Sequence, residues 1–218
     1  MSDFTIRTVP GSPFARAVMA TLEEKRVPWR LVPLAPGETR QPAYLAHNPF
    51  GKMPTIEHEG FSLYETQAIL RYIDRAFPSP AMTPREPRLA ARMDQAMNIC
   101  DWYLFQNCGN IIAFQRVVGP KLLGMTPDEA AIAEAMPRAH TVFAELSRLL
   151  GDQAFIAGER LTLADMMIGS HLDFFAMTPE WDSLTEGRKN LVTWLQRLEL
   201  RPSFQATTWE NIARKAAA

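Results

Sequence analysis

The 218-residue chain has two cysteines, Cys100 and Cys108. They are too few for a disulfide framework or a structural zinc site, and they lack the C-x-x-C spacing of a redox pair, so both read as buried structural thiols. Excess charge of either sign is also lacking: 23 basic and 24 acidic side chains give a formal charge of −1. A polyanion-binding surface needs a clustered excess of Lys and Arg, which excludes nucleic acid as a partner. No apolar run reaches transmembrane length, and Met1-Ser2-Asp3-Phe4 lacks the basic-then-apolar build of a signal peptide. The expectation is a soluble, cytoplasmic chain with no membrane partner. Repeats and low-complexity tracts are absent. His47, His58, His140 and His171 show no metal-ligand spacing; they read as structural or solvated, and no metal is expected.

What is present divides in two. Phe4 to Val9 alternates with period two and ends at Pro10-Gly11, a strand and a turn. Phe14 to Lys25 has helical spacing, with Pro13 at its start, where a missing N–H costs nothing. Trp29 to Leu34 is a second strand, which makes a parallel β-α-β unit. A short helix near Ala43 follows, then strands Thr55–His58 and Phe61–Tyr64 joined by a tight turn at Glu59-Gly60, then a helix from Glu65 to Phe77. Beyond the prolines at 78, 80, 84 and 87 no strand is legible. Helices are expected over Leu89 to about Phe114, Pro127 to Leu150, Leu163 to Phe174, Arg188 to Leu198 and Pro202 to Lys215. The fold class is therefore α/β plus all-α: a domain over residues 1–78 with a mixed four-stranded sheet, a Pro-rich linker over 79–87, and an all-helical domain over 88–218.

Several short segments carry chemistry beside a plainer structural role. Ser12, between the first strand and the first helix, is an N-cap by position, and the same position lets its hydroxyl reach an anion at the helix start. It lies outside any G-x-S-x-G elbow, which weighs against hydrolase chemistry. In Asn48-Pro49-Phe50-Gly51-Lys52-Met53-Pro54, the Met53–Pro54 bond reads as trans on general grounds, since only about 5–6% of X–Pro bonds are cis. A cis bond would instead turn the Met53 backbone outward to pair with an extended peptide. Glu65-Thr66 opens a helix; an acid there suits the macrodipole, and the pair could also hold an ammonium and a carboxylate, the head group of an α-amino acid. Thr162 to Asp165 is a capping box.

Taken together, these segments resemble the glutathione S-transferase family across essentially the whole chain. The resemblance rests on Ser12-Pro13-Phe14 with Arg16, the Asn48–Pro54 segment, Glu65 to Ile73, and Phe155 to Asp165. It is to Ser-type members of the theta, phi or tau kind, bacterial ones included. It implies a thioredoxin-like N-terminal domain, a helical-bundle C-terminal domain and a homodimer, with glutathione as co-substrate bound mainly by the first domain. It also makes Pro54 cis. Carried over residue by residue, the Met53 backbone pairs with the cysteinyl part of glutathione, Glu65 and Thr66 hold the γ-glutamyl head, and Lys52 and Arg40 sit near the glycyl carboxylate. Ser12 donates a hydrogen bond to the sulfur. Thr8-Val9 stands where Tyr-type members place their tyrosine, and Ser12 where Cys-type members place cysteine. An electrophile site is implied between Phe14 and the first long C-terminal helix, where Tyr103, Asn107, Ile111 and Phe114 recur at helical spacing; the same spacing also suits core positions.

The implied activity is conjugation of glutathione to a hydrophobic electrophile, or reduction of a peroxide, in detoxification. Two other readings stay open: a non-catalytic interaction or regulatory module on the same fold, and a glutathione-dependent disulfide reductase in which glutathione supplies the thiol.

Overall fold

The computed structural model describes residues 4–217. Met1 to Asp3, on which the signal-peptide reading rests, lie outside the described residues. The chain forms two units, residues 1–81 with 199–218, and residues 82–198.

In the first unit, β1 (Phe4–Thr8), β2 (Trp29–Pro33), β3 (Thr55–His58) and β4 (Phe61–Tyr64) form one sheet in the order β2-β1-β3-β4. β1 is parallel to β2 and antiparallel to β3, and β3 is antiparallel to β4. The β3–β4 turn places both Glu59 (φ +51°) and Gly60 (φ +79°) in the left-handed region that a two-residue hairpin of this twist demands. The crossover helix α1 (Pro13–Lys25) starts on Pro13, and α2 (Pro42–Leu45) is a single turn. α3 (Thr66–Ala76) packs on α1. Phe4, Ile6, Val18, Leu22, Ile56, Ile69, Leu70 and Ile73 form the core between them. Lys25 is buried and closes the C-terminal end of α1 on Asp74 Oδ1 (2.5 Å) and on the carbonyls of Phe77 and Pro80 (2.7 and 2.5 Å). Residues 77–86 form neither helix nor strand.

In the second unit, α4 (Pro87–Ile99) runs into a stretch of widened, i→i+5 turns at Cys100–Gly109, with a second such stretch at Phe114–Val118. The sequence predicts one α-helix from Leu89 to Phe114; the structure breaks it. The Asn110 amide donates back five residues to Phe105 O (2.9 Å), and Gly109, the weakest helix former there, sits where a Cβ would lie 3.2 Å from Leu104 O. α5 (Gly119–Leu123) and α8 (Trp181–Thr185) are short and carry no usable period in sequence. α6 (Glu129–Leu150), α7 (Leu163–Ala176) and α9 (Lys189–Glu199) lie within a residue or two of expectation. Met93, Met97, Leu104, Phe143, Leu146, Met167, Phe175 and Trp194 fill the core.

The expected helix over Pro202–Lys215 is two, α10 (Pro202–Ala206) and α11 (Trp209–Ala217). Thr207 bonds back to Ser203 O (2.8 Å), while the Thr208 hydroxyl accepts the Asn211 amide (3.3 Å) and starts the new helix. Both pack on the first unit, α10 on α1 and α11 on β2, so residues 199–218 group by contact with the first unit.

Candidate functional site

Strand register decides where the candidate residues of the first unit fall. Thr55, which opens β3, stands opposite Arg7 in β1 and opposite Tyr64, which ends β4. Thr8 ends β1 opposite Pro33 in β2. The turn carrying Ser12, the residues Met53-Pro54 just before β3, Glu65-Thr66 just after β4, and the loop from β2 to Arg40 therefore all lie at the same end of the strands. Segments dispersed from residue 12 to residue 66 are gathered there by pairing alone.

Each is fixed by local chemistry. Ser12 (φ −83°, ψ 116°) is the N-cap of α1; its Oγ accepts the Ala15 amide (3.3 Å) and its carbonyl accepts the Arg16 amide (2.9 Å). Acting as acceptor leaves the hydroxyl proton to be donated elsewhere. No acidic residue lies in the first turn of α1 to neutralise its positive end.

The Met53–Pro54 bond is cis, as the family resemblance implies and the general expectation does not; Ser79–Pro80 is cis as well. The loop before Pro54 is held from below. The Tyr44 hydroxyl (2.6 Å) and the Asn48 side-chain amide (2.9 Å) both donate to Lys52 O, and Asn48 Oδ1 accepts the Phe50 amide (3.0 Å). Burial pushes the Tyr44 phenol pKa up, so it stays a donor. Gly51 (φ +59°) is needed here, since a Cβ would lie 2.9 Å from Thr39 O. Asn48 and Pro54 are buried, Met53 is half-buried, and Lys52 and Arg40 are exposed. Neither backbone polar group of Met53 has a partner among the described residues. Tyr44 and Asn48 are site-building residues that sequence reasoning missed; Asn48 heads the motif, but only the fold shows that its amide grips the loop.

Glu65 has φ +71° and ψ 111°, a conformation disfavoured for any residue with a Cβ by about 1–3 kcal/mol. Its side chain is exposed and does not cap α3, whereas Thr66 is buried.

Of the residues tied to an electrophile, Phe14 is half-buried in the first turn of α1. In the second unit Tyr103 is 55% exposed, and Asn107, Ile111 and Phe114 are half-buried, while Leu104, Cys108 and Ile112 take the core positions. Tyr103 and Asn107 lie in the first widened stretch, Ile111 in the break and Phe114 at the start of the second.

The two thiols and the histidine beside one of them are kept inert. Burial drives the Cys100 thiol pKa well up and that of Cys108 up to about 12. Cys100 Sγ lies 3.5 Å from His171 Nδ1, and burial lowers the His171 pKa to about 4. His58 is also buried, its Nδ1 2.7 Å from the Tyr72 hydroxyl. No cluster of three or more His, Cys, Asp or Glu side chains suited to a metal occurs among the described residues, and no helix there is long and apolar enough to cross a membrane.

A four-stranded mixed sheet with an N-capping serine after its first strand and a cis-proline before its third, together with an all-helical unit, is the architecture of a thioredoxin-like domain joined to a helical domain. The model of the glutathione S-transferase N-terminal domain matches residues 7–81 and that of the C-terminal domain matches residues 129–197, between them more than half of the chain. The chain belongs to the glutathione S-transferase family. It is 28% identical over 197 residues to a glutathione S-transferase of Hyoscyamus muticus, covering 88% of this chain and 92% of that one. It shares the fold of glutathione transferase F2 from Populus trichocarpa (TM-score 0.84, 24% identity, 99% and 100% of the two chains). It is also similar to the theta class enzyme of Xanthomonas axonopodis pv. citri, solved with glutathione bound (TM-score 0.80, 25% identity, 95% and 98%).

Proposed function

We propose that the chain activates the thiol of glutathione at Ser12 for attack on a hydrophobic electrophile or a peroxide. The observation that carries this reading is the convergence, through strand register, of the Ser12 turn, the Met53 backbone at a cis-proline and the strained Glu65 with Thr66 at one end of the sheet's strands. In it, the extended tripeptide pairs with the Met53 N–H and C=O as an added strand. Glu65 takes the α-ammonium, the start of α3 with the Thr66 hydroxyl takes the α-carboxylate, and Lys52 with Arg40 takes the glycyl carboxylate.

Ser12 then donates its hydroxyl proton to the sulfur. A free thiol has a pKa near 8.5, and lowering it by about two units requires about 2.7 kcal/mol of preference for the thiolate. A hydrogen bond to a charged acceptor is worth roughly 1.5–3 kcal/mol, and the unneutralised start of α1 adds up to ~1. No general base is needed. The stripe of Tyr103, Asn107, Ile111 and Phe114, outside the core of the second unit, suits a mixed apolar and polar acceptor, as does Phe14 in the first. A reductase working through the chain's own cysteines is disfavoured, because both are buried with raised pKa values. The same reading takes the chain to be a cytoplasmic homodimer, as the resemblance implies; light scattering at micromolar concentration giving twice the 24.6 kDa chain mass would support the dimer, and the single mass would refute it.

The deciding experiment is thiolate absorbance near 240 nm against pH with glutathione bound. Ser12→Ala is expected to leave affinity within a few-fold but to raise the bound thiol pKa by about one unit or more, with conjugation of chlorodinitrobenzene at pH 6.5 down about fivefold or more. Superimposable titrations would reduce Ser12 to a helix cap.

A further inference from the structure

The C-terminal segment of the first unit ends on the turn that carries Ser12. Gly11 adopts φ +88°, and a Cβ placed on it would lie 2.0, 2.3 and 2.5 Å from Cζ3, Cη2 and Cε3 of Trp209. The benzo edge of the Trp209 indole therefore rests directly on the Gly11 backbone, one residue before Ser12. Trp209 is the first residue of α11, whose start is capped by the Thr208 hydroxyl and whose far end sets Lys215 Nζ 3.9 Å from the Trp29 ring on β2. The preceding α10 is gripped just as closely. Glu24 on α1 takes both Arg201 (2.7 and 2.8 Å) and the Ser203 hydroxyl (2.5 Å). Arg16 donates to Phe204 O (3.3 Å) with its guanidinium 5.1 Å from the Phe204 ring centroid. Arg16 also closes the first turn of α1 by donating its own amide to Ser12 O. The tail thus meets the Ser12 turn and the first turn of α1 at two points, Trp209 on Gly11 and Phe204 on Arg16.

We infer that this segment, through Trp209, is a positioning clamp for Ser12. The inference rests on the reading that the Ser12 hydroxyl stabilises the glutathione thiolate. Gly11 is required by its positive φ and by the ring above it, yet glycine is also the residue that allows a turn the most backbone freedom. A hydrogen bond to a thiolate weakens steeply once its angle opens, so a Ser12 free to pivot about Gly11 would bind glutathione and activate it poorly. The flat indole over the Gly11 backbone removes that freedom. Trp209 is accordingly a positioning residue, and its loss should act on the thiol rather than on the peptide groups, which Met53, Glu65 and Thr66 hold.

The test measures the bound-thiol titration, glutathione affinity by calorimetry and the pH profile of chlorodinitrobenzene conjugation, for the full chain and for Trp209→Ala, Trp209→Phe and Ser12→Ala. Trp209→Ala is expected to keep affinity within about threefold, raise the thiol pKa by about 0.5–1 unit and lower kcat at pH 6.5 by about two- to fivefold, with the defect shrinking toward pH 9. Trp209→Phe, which keeps a flat ring over Gly11, should stay within about twofold of wild type. Should Trp209→Ala fail to fold, Trp209→Leu, which lacks a flat ring, serves in its place with the same expectation. A shifted pKa in Ser12→Ala beside an unshifted one in the Trp209 variants would overturn the clamp and leave Ser12 in its role. An unshifted pKa in Ser12→Ala would overturn both.

Discussion

Asp165→Ala should lower stability far more than loss of an ordinary helix cap. Asp165 is the third residue of α7 and fully buried. Its Oδ1 accepts the Ile156 amide and the Trp194 indole N–H, both at 2.9 Å, and its Oδ2 accepts the Thr162 amide (2.8 Å) and hydroxyl (2.7 Å). Burial pushes the carboxyl pKa up while these bonds pull it down, and the net direction is up. A helix cap alone is worth about 0.5–2 kcal/mol. Alanine here also strands three buried donors that cannot turn elsewhere, the Ile156 and Thr162 amides and the Trp194 indole, each costing roughly 1–3 kcal/mol. Allowing for partial relaxation, the loss is about 4 kcal/mol, a large share of the ~5–15 kcal/mol that a domain possesses. At about 3 °C per kcal/mol for a chain of this size, Tm should fall by about 12 °C. Asp165→Asn keeps one acceptor oxygen and should lose less than half as much. Thermal melts followed by circular dichroism give the numbers, and calorimetry on the folded fraction should find glutathione affinity unchanged within about twofold, because the proposed glutathione contacts lie in the other unit. A Tm within about 3 °C of wild type would refute the account of Asp165 as the anchor between the Phe155–Thr162 segment, α7 and α9.

Glu65→Ala should weaken glutathione binding about ten- to thirtyfold by calorimetry, short of what a buried charge pair would cost, because the Glu65 side chain is exposed; unchanged affinity would remove it from the site. His171 should make the fold acid-sensitive: its pKa near 4 in the folded state lies below the ordinary 6.5. The unfolded chain therefore binds the extra proton first, so the stability held above pH 6.5 is lost as pH falls toward 4, by about 2 kcal/mol between pH 7 and 5. Urea midpoints at the two pH values should show that loss in wild type and much less of it in His171→Leu.

Much of the first unit was legible in sequence because its signals are local. A period of two, a Pro at the first helical position and Glu59-Gly60 at a hairpin act over a few residues, and the β-α-β-α-β-β-α order follows from them. The serine cap and the Thr162–Asp165 pairing were readable for the same reason, since each closes within four residues. The cis state of Pro54 was legible only through the family resemblance, because an isolated X–Pro bond favours trans; here Tyr44 and Asn48 grip the Lys52 carbonyl just before it in a loop whose path only the fold defines. The widened turns at Cys100–Gly109 escaped because Tyr103, Asn107 and Ile111 fit a helical period, and periodicity cannot tell a turn closed at i+4 from one closed at i+5. The Ile156 amide and the Trp194 indole meeting at Asp165, and the C-terminal segment seating Trp209 on Gly11 rather than joining the helical unit, join residues further apart in the chain. Pairings of that kind depend on which surfaces remain to be buried once the local elements exist, and only tertiary packing decides them.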